Sequence, residues 1–200
     1  MRKFSAVNAI IAINILVFCL WYILPTEFMF YNFLVSYTGL EEGRFWTLIT
    51  SVFSHNSFFH IFVNMYVLYG FGQAMELVMG KKRFVSFYLI AGIFASLTHA
   101  LMSAYILNEP DLPALGASGA VAGLILLFSL LFPREKILLL GIIPLPAIFG
   151  ALVFVGLDIW GLVAQAQGTS VLPIGHGAHL GGAFTGLIFY FFTRRKTTIE

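Results

Sequence analysis

The sequence predicts an all-α membrane protein, a bundle of six transmembrane helices with both termini on the cytoplasmic side. Three observations carry this. First, 60% of the 200 residues are hydrophobic, 10% are charged, and mean hydropathy is +0.93. A soluble domain carries about 25% charged residues, so lipid has to cover this surface, and the backbone beneath it has to be helical. Second, six apolar stretches approach or exceed the roughly 20 residues that cross a hydrocarbon core. Third, ten of the 11 basic residues fall on one face of a six-span arrangement.

In chain order the predicted spans run roughly over 7–24, 58–79, 84–107, 115–132, 137–163 and 174–193 within a single membrane domain, 1–200. The first follows Met1-Arg2-Lys3 like a secretory leader, but it is long, contains Asn8 and Asn14, and precedes no small-residue cleavage site. It reads as a retained span. The connection 25–57 carries Tyr31, Tyr37 and Trp46, which suits an interfacial loop. Arg2, Lys3, the cluster Lys81-Lys82-Arg83, Arg134, Lys136 and the cluster Arg194-Arg195-Lys196 share one side, against Arg44 alone on the other. The positive-inside rule makes the first side cytoplasmic. The opposite side carries Glu27, Glu41, Glu42, Glu109 and Asp111. A bacterial inner membrane is expected, from the basic clusters and the lack of a transit peptide.

Polar residues at membrane depth are costly unless paired or functional. Ser118 stands near the outer end of span four, His179 near that of span six, and His60 with Asn64 near that of span two. His60 and Asn64 are four apart and share a helix face. Spans two, four and six all begin at the outer side, so the four side chains arrive at one depth. Gly119 and Gly123 in span four, and Gly177, Gly181, Gly182 and Gly186 in span six, are spaced for close helix approach. Gly70 and Gly72 read the same way. A serine hydroxyl beside a neutral imidazole is the arrangement of an activated nucleophile. Donors from His60, Asn64 and the start of span four suit an oxyanion. Asp158, within span five, is not assigned as the orienting acid, which leaves a Ser–His dyad.

These residues resemble the rhomboid family of intramembrane serine proteases from about Gly43 to the end of span six. The matching pieces are His55-x4-His60-x3-Asn64, Gly116-Ala117-Ser118-Gly119 and Ala178-His179-Leu180-Gly181-Gly182. The resemblance implies a rhomboid-like fold and a serine endopeptidase that needs no metal or cofactor. Ser118 and His179 would be the catalytic dyad, and His60 and Asn64 the oxyanion hole. Gly116, Gly119, Gly182, Glu76, Arg44 and Trp46 would be structural support. Its substrates would be single-span membrane proteins, cut near the outer face. Two positions depart from the family's pattern. Arg44 comes two residues before Trp46 instead of directly after it, and Ala122 stands where many members stack Tyr on the histidine.

Each residue also has a plainer reading. Ser118 could cap or pack a helix, His179 could be a satisfied core group, and His60 with Asn64 could clamp two helices. His55 reads as a loop anchor, His176 as an outer neighbour of the site, Glu76 as a partner for backbone or basic groups; His99 has no assigned role. Cys19 lies in an apolar run as an inert thiol. The rival function is a non-catalytic binder or transporter of membrane helices or ions. It lacks HExxH spacing and the duplicated halves common among transporters. The bilayer is a partner and nucleic acid is not.

Overall fold

The computed structural model describes residues 5–139, 143–169 and 174–197, so Arg2 and Lys3 lie outside the described residues. Helix α1 (Ala6–Leu20) leads into three short helices, α2 (Thr26–Phe33), α3 (Tyr37–Glu41) and α4 (Thr47–Thr50), and a 3-10 turn at Ser51–Phe53. The long helices α5 (Phe58–Met79) and α6 (Lys81–Tyr105) follow, then α7 (Ser118–Leu131). A hairpin, β1 (Lys136–Leu139) against β2 (Ile143–Pro146), precedes α8 (Ala147–Ala166) and α9 (His176–Thr197). Helices α5, α6 and α8 are long and apolar enough to cross a membrane; α1 and α7 are shorter apolar helices.

The surface is that of a membrane protein. Leu77 is 87% exposed, Phe59 75% and Trp160 70%, and apolar side chains on this scale need lipid or a partner against them. The buried core is built where α1, α5, α6 and α7 meet, from Val7, Leu68, Met75, Phe84, Phe87, Leu124 and Leu127. Glu76 caps α1: its carboxylate accepts from Ala6 N–H at 2.9 Å, Val7 N–H at 3.0 Å and the Ser5 hydroxyl at 2.7 Å. Those first N–H groups have no acceptor within their own helix. Gly72 does permit close packing, since a Cβ there would stand 2.9 Å from Val7 Cγ2, but Gly70 has nothing within 4 Å.

The structure corrects the predicted fifth span. Residues 136–139 and 143–146 do not begin a helix; they form an antiparallel pair with Lys136 opposite Pro146 and Ile137 opposite Leu145. Pro144 and Pro146 lack the N–H a helix needs and push the residues before them toward extended backbone. Pro146, at φ −55° and ψ 135°, is the last extended residue, and α8 starts behind it. The connection 25–57 is also more ordered than a loop. Val35 bridges to Ala114, exchanging N–H···O bonds of 3.0 and 2.8 Å, and Trp21 Nε1–H donates to Ser54 Oγ at 2.9 Å.

Candidate active site

Ser118 is the first residue of α7 and is half-buried. At 14 residues this helix is about 21 Å long, short of the roughly 30 Å hydrocarbon core. The strand of backbone leading into it is pinned from beneath. Gly116 N–H donates to Ser51 O at 2.8 Å, and Ala117 N–H donates to His55 Nε2 at 3.3 Å. Gly116 has φ +119°, a region L side chains avoid, and a Cβ there would lie 2.6 Å from His60 Cε1. Glycine is therefore required twice over at the turn that presents Ser118.

His55 has to stay neutral to accept that Ala117 bond. Its burial, then the nearby His60, push its pKa down to about 3; the two rings meet edge-on with centroids 4.9 Å apart. In the unfolded chain a histidine titrates near 6.5. Between the two values only the unfolded chain takes up the proton, so stability falls as pH drops below about 6.5. The expected loss is about 2 kcal/mol at pH 5. Thermal unfolding in detergent from pH 7.5 to 5 should show it for the wild type and a flatter response for His55→Gln. Equal slopes in the two proteins would remove His55 as the cause.

Helices α7 and α9 touch backbone to backbone. Gly182 faces the carbonyl of Gly119 so closely that a Cβ has no room, and a Cβ on Gly119 would lie 3.1 Å from Ala178 O. One turn from this contact stands His179, in the first turn of α9. So Gly119 and Gly182 bring the chain segments carrying Ser118 and His179 side by side.

The structure gives His179 the partners that the sequence did not assign. Its Nδ1–H donates to Asp158 Oδ1 at 2.9 Å. Its ring stacks on Phe154, centroids 5.5 Å apart and planes at 27°. Phe154 and Asp158 are four apart on α8 and therefore share a face. Between them they give the His179 ring a stacking partner and a hydrogen-bond acceptor. With the proton held on Nδ1, neutral His179 presents the Nε2 lone pair. His176 donates from its own Nδ1–H to the same Oδ1 at 2.7 Å. The signal was available in the sequence: Asp158 is the sole charge in residues 147–166, and a carboxylate at that depth needs partners from a neighbouring helix.

His60, in the first turn of α5, is half-buried, and its ring stands against the Gly116 turn that leads to Ser118. Asn64 is buried, and one of its two amide N–H donors goes to His60 O at 2.8 Å. The amide carries a second N–H donor. Arg44 and Trp46 belong elsewhere, to the loop cluster before α5. The Arg44 guanidinium pairs with Glu42 at 2.9 Å and lies 5.0 Å from the Tyr31 ring centre; that ring is 6.0 Å from Trp46. His99 holds the segment before α7 through Leu112 O at 3.2 Å. The one cluster of three or more residues with metal-ligand chemistry among those described is Asp158 and His176, both buried, with half-buried His179.

The family model of the rhomboid domain matches residues 42–196. The chain is 34% identical over 196 residues to RHOMBOID-like protein 12, mitochondrial, of Arabidopsis thaliana, covering 92% of this chain and 57% of that protein. It is 34% identical to Rhomboid protein 1, mitochondrial, of Saccharomyces cerevisiae, covering 92% and 52%. To the human presenilin-associated rhomboid-like protein, mitochondrial, it is 31% identical, covering 90% and 46%. The chain thus spans about half the length of the curated relatives it matches. The expectation of a bacterial inner membrane is overturned by these relatives, all named as mitochondrial. Basic residues report which side of a membrane a loop faces, not which membrane it is.

Proposed function

The chain belongs to the rhomboid family, which includes intramembrane serine proteases, and on that footing we propose that it is an intramembrane serine endopeptidase. It spans a mitochondrial membrane six times, with both termini on the basic, matrix-facing side. It cuts a transmembrane segment of a single-span protein near the opposite face. Ser118 is the nucleophile and His179 the base. The observation that carries this reading is the hydrogen bond from His179 Nδ1–H to Asp158. A buried carboxylate on that nitrogen fixes the tautomer that a serine's base needs.

The steps follow from the groups in place. Ser118 Oγ attacks the scissile carbonyl carbon as its proton passes to His179 Nε2, and the resulting imidazolium is stabilised by the Asp158 carboxylate. The carbonyl oxygen becomes an oxyanion, met by His60, by the second N–H of Asn64 and by N–H groups of the first turn of α7. His179 then returns its proton to the leaving amine. Water enters, activated by the same imidazole, and releases Ser118. Helix α7, which begins at Ser118, is shorter than the hydrocarbon core is thick.

Incubation of the purified chain with a panel of single-span substrates tests the reading. Cleavage is expected from the wild type and none above background from Ser118→Ala. If Ser118→Ala cleaves as the wild type does, another residue is the nucleophile or the chain is a binder.

A further inference from the structure

The carboxylate that orients His179 holds two imidazoles, and orientation requires only one. Asp158 is 4% exposed and His176 7%, so the second bond is a built feature rather than a surface accident. His176 is seated against Gly161, where no Cβ would fit, and its Nδ1 is turned onto Asp158 Oδ1 at 2.7 Å. One ligand atom from each of Asp158, His176 and His179 lies within 4.8 Å of the other two. Two imidazole nitrogens and a carboxylate oxygen are a ligand set that zinc takes, at about 2.0–2.2 Å from each atom. A tetrahedral ion at those lengths holds its ligands roughly 3.3–3.5 Å apart. From the 4.8 Å bound, contraction of the longer separation by up to about 1.3–1.5 Å, with relaxation of the hydrogen-bonded ones, reaches that geometry.

Building on the protease reading, we propose that Asp158, His176 and His179 form a reversible inhibitory site for a divalent ion of zinc's class. The ion replaces two N–H···O hydrogen bonds with two metal–nitrogen bonds and one metal–oxygen bond, and water takes the fourth position. Each neutral ring keeps its single proton but moves it from Nδ1 to Nε2. That exchange is the inhibitory event. A metal on Nδ1 of His179 places a proton on the nitrogen that should accept one from Ser118, so the base is lost while the ring stays in place.

The test uses the tag-free chain in detergent, with Co²⁺ as a spectroscopic probe and buffered Zn²⁺ as competitor. One Co²⁺ per chain with tetrahedral ligand-field bands is expected, displaced by Zn²⁺, absent in Asp158→Asn and at least about tenfold weaker in His176→Gln. Cleavage by the wild type should fall in step with Zn²⁺ occupancy through kcat, with KM held. For His176→Gln, referred to its own metal-free rate, the inhibition curve should shift by the same factor as binding. No Co²⁺ binding by the wild type overturns the site, as does binding that survives both substitutions. Full occupancy without inhibition overturns its inhibitory role. A chain that binds the ion but cleaves nothing without it leaves the site standing and sinks the protease reading.

Discussion

Asp158→Asn is expected to lower kcat by about 10²- to 10⁴-fold with KM changed little. The amide keeps the shape of the carboxylate but removes its charge, so the imidazolium formed at His179 loses its counter-ion. It also offers N–H donors where His179 Nδ1–H needs an acceptor, which favours the tautomer with the proton on Nε2. Thermal stability should hold or rise, because a charge is removed from an apolar helix. Slow turnover at wild-type melting temperature is the signature that separates a lost base from a lost fold. A rate within threefold of wild type would reduce Asp158 to a packing role.

The second large effect belongs to Gly182. In Gly182→Ala the new methyl, held rigidly on Cα, meets the backbone carbonyl of Gly119, so neither group can rotate away. Helices α7 and α9 must separate. The cost is expected to exceed the usual 1–3 kcal/mol of an overpacked core, and melting temperature and cleavage should fall together as Ser118 and His179 part. Gly156→Ala is the matched control, for a Cβ on that α8 glycine has nothing within 4 Å. Equal behaviour of the two variants would show that the Gly119–Gly182 contact does not hold the site together.

Much of this site was legible as polarity out of place. Ser118, His179, His60 and Asn64 stand out because a membrane gives few reasons to keep them, and the glycines of α7 and α9 announce a close crossing. Asp158 is conspicuous as a lone charge, but its partners, and any part for Phe154, depend on how α8 is rotated and where it begins. An apolar run from 137 reads as one long span, and hydropathy alone does not separate strand from helix. Pro144 and Pro146 were the signal that it breaks. With α8 started at Ala147, the four-residue spacing of Phe154 and Asp158 defines one face, and His176 and His179, three apart on α9, are the groups it meets. The short helices α2, α3 and α4 were illegible for another reason: elements of eight, five and four residues are held by their contacts, not by their own periodicity.

Reaction with a fluorophosphonate, mapped by mass spectrometry of the purified chain, tests the Ser118–His179 pairing most directly. A single adduct on Ser118 is expected, lost in His179→Ala while the protein remains folded. An adduct on a different serine, or one on Ser118 that forms as readily without His179, would contradict it.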